Sequence, residues 1–173
     1  MFERSFDLVS KLTGRQPLGY RAPGGQFGAG IVRLMAEFGM TYDSSLMAND
    51  VTPYWCRDED VIADDGPVRF GAVSSIAELP ISWSLDDWAH FEYARQGNSQ
   101  GLRQAADVFA NWLDDVRYMV RDFEDGVLTI VLHPEVIGRG HRLLGFERFL
   151  EEVAVLESLD VAVPTVLSID MAT

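Results

Sequence analysis

Residues with chemically useful side chains follow apolar runs at three widely separated points of the chain. Arg21 comes at the end of the segment 18–21, Asp87 ends the segment 79–87, and His133 follows the apolar run 127–132. If these runs are neighbouring parallel strands, a guanidinium, a carboxylate and an imidazole reach one edge of a sheet, where α/β enzymes assemble their sites. The spacing therefore predicts that Arg21, Asp87 and His133 share one pocket.

The types of these residues suit proton transfer at a carbonyl compound. Pro134 cannot extend a strand, so His133 is expected at the carboxyl edge of the sheet, where its near-neutral pKa suits a general acid that protonates a departing amine. Arg21 precedes a Pro-Gly-Gly turn and could orient a carboxylate or an anionic substrate oxygen. A structural histidine and an ordinary surface arginine are the alternatives.

The acidic pair Asp86 and Asp87 has a different expected role. Adjacent residues on an extended strand point to opposite sides, so the two carboxylates are not expected to share a metal ion unless the strand has already turned there. We expect Asp87 to fix Arg21 or His133 by a charged hydrogen bond, and Trp88 to offer a flat apolar wall or to fill the core. Arg139 and His141 could bind a polar substrate, although solvation at a helix start explains them equally well.

Composition excludes several classes of function. The chain has 173 residues, 47% of them apolar, and a net charge of −13, which predicts a single domain over residues 1–173 and disfavours nucleic acid or an anionic membrane as a partner. Cys56 is the only cysteine, and the sequence shows neither a signal peptide nor an apolar run long enough to cross a bilayer. These features predict a cytoplasmic protein.

Apolar periodicity predicts alternating helices and strands. Helices are predicted near residues 2–12, 31–38, 98–123 and 142–158, and strands near 18–22, 40–46, 73–82, 127–132 and 161–166, with an irregular excursion over 47–71. The longest helix is expected to be capped by Asn98 or Ser99 and to bury a face that starts at Leu102. Alternation of this kind favours an α/β fold with a parallel sheet.

The order of the motifs resembles the polysaccharide deacetylase (NodB-homology) family, and within it the branch of allantoinase-like and cyclic-imide-hydrolase-like members. The resemblance rests on the following segments: Arg21-Ala22-Pro23 for an Arg-x-Pro motif, Tyr42–Leu46 for the next strand, Asp87-Trp88 for an Asp-Trp motif, Leu132-His133-Pro134 for the last motif, and Ile137–Arg142 for the helix after it. It implies that Arg21, Asp87 and His133 are catalytic, and that Pro23, Trp88, Arg139 and His141 contact the substrate.

The chain departs from the family pattern ahead of Arg21. An apolar strand ending in Asp-Asp-Gly and a His-x-x-x-His pair, which would supply the base and the metal ligands, do not occur there. Asp64-Asp65-Gly66 has the letters of the first motif but follows Arg21, so it predicts a solvated turn. Ser84 stands where the fourth motif has its first aspartate. The resemblance thus implies a partial distorted (β/α) barrel with parallel strands, missing its first strands.

Two functions follow from this resemblance. The first is hydrolysis of carbon–nitrogen bonds other than peptide bonds, by deacetylation of a sugar or by opening of a small amide or cyclic imide. No metal ligand is predicted in the chain, so a divalent metal such as zinc would need ligands from missing or partner segments. The second is a non-catalytic truncated or split-barrel subunit. Open sheet edges predict a homo-oligomer in either case.

Overall fold

The structure is a computed structural model that describes residues 2–93 and 101–157. These residues form two units, one made of residues 2–49 and 53–80 and the other of residues 50–52, 81–93 and 101–157. Each unit has its own sheet and its own hydrophobic core. The prediction of a single domain stays a prediction.

The first unit is built on a four-stranded mixed sheet. Its elements in chain order are α1 (Phe2–Thr13), β1 (Gly19–Tyr20), a 3₁₀ turn (Pro23–Gly25), α2 (Ile31–Glu37), β2 (Tyr42–Asp43), β3 (Tyr54–Asp58) and β4 (Ala72–Glu78). The strand order is β1-β2-β4-β3, in which β1, β2 and β4 are parallel and β3 is antiparallel to β4. The sheet therefore brings the carboxyl ends of three strands to one edge.

Apolar faces of the helices and strands make the core of this unit. The buried members are Phe6, Val32, Met35, Met40, Cys56 and Ile76. Phe6 packs edge-on against Phe38 with ring centroids 4.9 Å apart, and α2 ends just before Gly39, whose φ of 70° is the left-handed conformation that commonly closes a helix.

The second unit combines a parallel strand pair with a helix pair. Its elements are β5 (Ile81–Asp86), α3 (Asp87–Phe91), α4 (Ala105–Asp122), β6 (Thr129–Val131), α5 (Pro134–Ile137) and α6 (Gly140–Glu157). Helix α4 buries Phe109 and Trp112, which contact Phe149 of α6 with centroids 6.2 and 6.1 Å away. The Trp112 indole N–H also donates to the carbonyl of Ser84 at 2.7 Å, so α4 is tied to β5.

The predicted α/β fold with parallel strands is confirmed, but the strand assignments need two corrections. The excursion 47–71 contains β3, and its Asp64–Gly66 segment is an exposed turn as predicted. The single strand predicted over 73–82 is two strands in separate sheets, β4 and β5, because Pro80 has no amide hydrogen to continue the ladder. The nearly continuous apolar run 127–132 predicts a strand buried on both faces, but β6 is half-buried, since among the described strands it pairs only with β5.

The helices also differ from prediction at their ends and faces. Helix α4 begins at Ala105, and Leu102 before it is exposed with a φ of 62°, which no helix accommodates. The predicted caps Asn98 and Ser99 and the predicted strand 161–166 lie outside the described residues. In α6 the apolar periodicity predicts Leu143 and Leu150 on the inward face, but both are exposed, because aromatic contacts to α4 bury Phe149 instead.

Across residues 2–93 and 101–157, none of the helices has the combined length and apolar character that a bilayer crossing requires.

Candidate functional site

Asp87 and His133 meet at the carboxyl ends of the two parallel strands of the second unit. Strand β5 ends at Asp86, whose carboxylate accepts from the Trp88 amide at 2.8 Å and so caps α3. Asp87 is the first residue of that helix and is completely buried. His133 follows β6 as the residue before α5, whose first position is Pro134.

The Asp87 carboxylate holds His133 at two points. One oxygen accepts from the His133 backbone amide at 2.9 Å, and the other lies 2.7 Å from the ring Nδ1. This hydrogen bond is the main reason that the pKa of His133 is raised above its ordinary value of 6.5. Because Nδ1 is engaged by the buried carboxylate, Nε2 is the ring nitrogen left to exchange a proton with a substrate.

Trp88 lies beside the His133 ring. Its ring meets the His133 ring edge-on with centroids 5.3 Å apart, and the Trp88 side chain is about half exposed. An exposed indole beside a partly exposed imidazole offers an apolar contact for a bound molecule, rather than filling the core. Its predicted role as a substrate-binding residue stays a prediction.

Asp86 and Asp87 do not point to opposite sides. The strand ends at Asp86, so Asp87 already belongs to a helix, and both carboxylates lie within 4 Å of His133 Nδ1, at 3.9 and 2.7 Å. Potential ligand atoms of these three residues lie within 4.8 Å of one another, which is close enough for the three side chains to hold one metal ion. However, Nδ1 and the facing Asp87 oxygen bond each other, and an Asp86 oxygen caps α3. The three side chains are therefore better described as a hydrogen-bonded arrangement of carboxylates and imidazole than as the ligands of a metal ion.

Arg21 lies in the first unit, directly after β1. Its guanidinium Nη2 donates to Ser44 Oγ at 2.7 Å, and the amide of the next residue, Ala22, donates to Ser45 Oγ at 2.8 Å. Pro23 opens the 3₁₀ turn and is exposed. The meeting of Arg21 with Asp87 and His133 stays a prediction, since those two residues belong to the second unit.

Arg139 and His141 are exposed on the second unit, between α5 and the first turn of α6. Their predicted contact with a substrate stays a prediction. The neighbouring Arg142 was missed: it is buried and donates to the carbonyls of Val136 and Phe91, each at 2.9 Å. It ties α5 to α3 and so supports the helix that begins at Asp87. A charged residue amid a solvated helix face gives no signal of this role in the sequence.

A second acidic pair, Asp43 and Glu78, also escaped sequence reasoning. These residues are register partners at the carboxyl ends of β2 and β4, and both are completely buried. Burial is the main cause that raises the pKa of Glu78 to about 8 and raises that of Asp43 as well. The sequence signal for this pair is an acid at the end of each of two adjacent parallel strands. The apolar run 73–82 predicts one strand instead of β4 and β5, so the end of β4 at Glu78 is not recognised.

The curated proteins that this chain resembles are both named for peptidoglycan deacetylation. No family model matches the chain. The peptidoglycan deacetylase of Helicobacter pylori is 32% identical over 161 residues, which cover 87% of this chain and 55% of that protein. A peptidoglycan deacetylase-like protein, FGM2, of Gibberella zeae is 25% identical over 172 residues, covering 88% of this chain and 51% of that protein. The chain therefore spans about half the length of the curated relatives it matches.

Solved structures place the fold in the same group. A Mycobacterium smegmatis protein assigned as a polysaccharide deacetylase superposes with a TM-score of 0.68 at 25% identity, covering 98% of this chain and 59% of its own. The Puue allantoinase gives a TM-score of 0.62 at 27% identity, with 89% and 45% covered. A Pseudomonas aeruginosa PAO1 protein assigned as a polysaccharide deacetylase gives 0.61 at 26%, with 88% and 45% covered. Together with the ordered motifs around Arg21, Asp87 and His133, these relatives support membership of the chain in the polysaccharide deacetylase (NodB-homology) family.

Proposed function

We propose that this chain takes part in hydrolysis of a carbon–nitrogen bond other than a peptide bond, with His133 as the general acid. The observation that carries the proposal is the two-point contact of buried Asp87 with the amide and ring of His133. Such a contact fixes the imidazole and favours its protonated form, which is the form that can donate to a leaving nitrogen.

The proposed step is the collapse of a tetrahedral intermediate. After water has added to the carbonyl carbon, the C–N bond breaks while Nε2 of His133 gives its proton to the departing nitrogen. The products are a carboxylic acid and an amine, and Asp87 stabilises the imidazolium before the transfer. Arg21 would orient the base or hold the substrate oxygen. A divalent metal such as zinc, if the reaction uses one, would be held by residues other than the Asp86, Asp87 and His133 group.

The substrate is proposed to be an N-acetylated sugar or a small cyclic amide or imide. The curated relatives are named for peptidoglycan deacetylation, and one similar structure is an allantoinase. The exposed Trp88 ring beside His133 supports either class, because both a sugar ring and a planar heterocycle pack on an indole face. The finer fold assignment, a partial distorted (β/α) barrel, belongs to the same proposal.

The test is a substrate panel with matched histidine variants. Acetate release from N-acetylglucosamine oligomers and ring opening of allantoin and a cyclic imide are measured with and without added zinc. We expect His133→Gln to lower kcat about 10²- to 10⁴-fold, the usual contribution of general acid catalysis. His90→Gln is the control, because the His90 ring contacts the Ser84 carbonyl at 2.8 Å and has no assigned role in the reaction. Equal activity of the two variants contradicts the proposal.

A non-catalytic subunit is the second candidate, favoured by the Asp86, Asp87 and His133 group, several of whose hydrogen-bonding atoms already engage protein partners. It predicts no turnover by the wild-type protein in that panel. A homo-oligomer is proposed with it, supported by exposed apolar residues at the β3 and β4 hairpin, Ile62, Phe70 and Val73. Light scattering of the wild-type protein tests this, and a monomer at all concentrations contradicts it.

A further inference from the structure

The buried acids Asp43 and Glu78 share one hydrogen-bonded site in the first unit. They are register partners across the parallel strands β2 and β4, and both carboxyl groups contact the Ser45 amide, so the two groups lie close together. Two buried carboxyl groups this close repel when both are charged, so the pair is stable as one acid and one carboxylate. Burying such a pair costs free energy unless its other atoms find partners.

The backbone amides and the hydroxyl that serve as partners belong to the segment that follows β2. The Ser45 amide donates to Asp43 Oδ2 at 3.0 Å and to Glu78 Oε1 at 2.8 Å. The Leu46 amide donates to Glu78 Oε1 at 2.8 Å, and the Ser45 hydroxyl donates to Asp43 Oδ1 at 2.9 Å. The acid pair thereby fixes two consecutive peptide units, through the Ser45 and Leu46 amides, and the Ser45 hydroxyl.

The serine hydroxyls connect this segment to Arg21 and Ala22, which directly follow β1. Ser45 Oγ gives its only proton to Asp43, so a lone pair is left for the Ala22 amide at 2.8 Å. Ser44 Oγ gives its proton to the Leu79 carbonyl at 2.8 Å and accepts from the Arg21 guanidinium at 2.7 Å. The direction of each hydroxyl proton is therefore fixed by a buried acceptor.

We propose that Asp43 and Glu78 are positioning residues for Arg21, acting through the Ser45 hydroxyl that holds the adjacent Ala22 amide and through the backbone that carries Ser44, whose hydroxyl holds the Arg21 guanidinium. This inference rests on the proposed function, in which Arg21 orients a base or a substrate oxygen. The remaining titratable groups facing the pair are Cys56, whose thiol lies 3.5 Å from Glu78, together with Tyr54 and Tyr20. Burial raises the pKa of each, so all three are neutral when the pair holds its single proton.

Two isosteric variants separate the roles of the acids. In Glu78→Gln the amide oxygen still accepts from Ser45 and Leu46, and the neutral side chain does not repel Asp43. In Asp43→Asn one acceptor oxygen is replaced by an NH₂ group, so either the Ser45 amide or the Ser45 hydroxyl loses its Asp43 acceptor, and of the two only the amide has a second acceptor, Glu78 Oε1. We expect Asp43→Asn to raise hydrogen exchange of the Ala22 amide about tenfold, the effect of losing one buried hydrogen bond, and Glu78→Gln to leave it unchanged.

The activity readout is a double-mutant cycle with Arg21→Ala. We expect Asp43→Asn to lower kcat in the wild-type background and to cause no further loss in the Arg21→Ala background, because both changes remove the same contribution. An equal loss in both backgrounds overturns the proposal, since it indicates damage that does not pass through Arg21. Unchanged Ala22 exchange in Asp43→Asn overturns it as well.

The proposal remains testable if Asp43→Asn misfolds or if the wild-type protein is inactive. If Asp43→Asn does not fold, Ser45→Ala keeps the acid pair and removes the acceptor of the Ala22 amide, so it must reproduce the rise in exchange; normal exchange contradicts the proposal. If the wild-type protein hydrolyses none of the panel, the proposed function fails, while the NMR signals of the Ala22 amide and the Arg21 Nε–H in Asp43→Asn still decide whether the acids position Arg21.

Discussion

Asp87 contacts His133 through both carboxylate oxygens, and only one of these contacts depends on pH. The bond to the backbone amide persists at any pH at which Asp87 is ionised, whereas the bond to Nδ1 strengthens when the ring is protonated. His133 therefore combines a fixed position with a pKa raised chiefly by one neighbour. The charge of that neighbour, Asp87, can be removed by substitution with asparagine, which has nearly the same shape.

We expect Asp87→Asn to lower the pKa of His133. The asparagine keeps an oxygen for one contact but removes the charge that favours the imidazolium. A general acid works while protonated, so the decline of kcat at alkaline pH should begin at a lower pH in the variant. The His133 ring signals in an NMR titration measure the pKa directly, independent of any activity.

The matched control for this change is Asp86→Asn. Asp86 lies farther from Nδ1 and makes a smaller contribution to the raised pKa, so its variant should shift the titration less. Equal shifts in the two variants, or an unchanged titration in Asp87→Asn, would contradict the assignment of Asp87 as the partner of His133.

Glu78 predicts a second pH effect at the residue scale, on stability. Its pKa rises from 4.5 to about 8 on folding, so the folded state binds more protons than the unfolded state between those values. Stability is then highest below the unfolded pKa and falls as the pH rises toward about 8. We expect urea unfolding to show this decline in the wild type and a smaller decline in Glu78→Gln. His133 contributes a decline of the same sign, so the difference between the two proteins is the measurement, and equal declines contradict the prediction.

At the scale of secondary structure, the contact between α4 and α6 depends on one glycine. A Cβ built at Gly145 would lie 2.6 Å from Phe109 Cε2, whereas one at Gly140 of the same helix has no atom within 4 Å. We expect Gly145→Ala to destabilise the protein by about 1–3 kcal/mol, the cost of overpacking a core, despite its better helix propensity. Gly140→Ala should change stability by no more than about 0.5 kcal/mol. Thermal or urea unfolding compares them, and equal effects contradict the predicted clash.

The secondary structure also shows how far sequence reasoning reached. The three- and four-residue spacing from Ala105 to Met119 predicted α4, because one apolar face packs against its neighbours. It failed at Leu102, whose side chain continues the spacing but whose backbone is left-handed. Aromatic packing between Phe109 and Phe149 shifted the buried face of α6, and such pairings between distant residues leave no local pattern.

The candidate site was predictable to the same extent. Residue types and strand ends identified Asp87 and His133, because parallel strands bring their carboxyl ends together. The turn into α3 at Asp87, which moves its carboxylate to the side of His133, was not readable, since a five-residue helix has too little periodicity to detect. Asp43 and Glu78 were missed for a related reason: their pairing depends on the register of β2 with β4.

At the scale of the whole molecule, the dominant feature is the excess of negative charge. The chain has 27 acidic and 14 basic residues, for a net charge of −13. Like charges repel more in a folded protein than in an expanded chain, so this excess destabilises the folded state. Added salt shortens the screening distance from about 30 Å at 0.01 M to about 8 Å at 0.15 M.

We therefore expect the Tm to rise with NaCl over that range, by the few degrees that correspond to about 1 kcal/mol for a chain of this size. The matched variant is Asp64→Asn in the exposed turn 64–66, which removes one negative charge and should make the salt dependence shallower. A Tm that is flat or falls with NaCl would mean that local ion pairs such as that of Arg33 with Glu59, which salt weakens, outweigh the net repulsion.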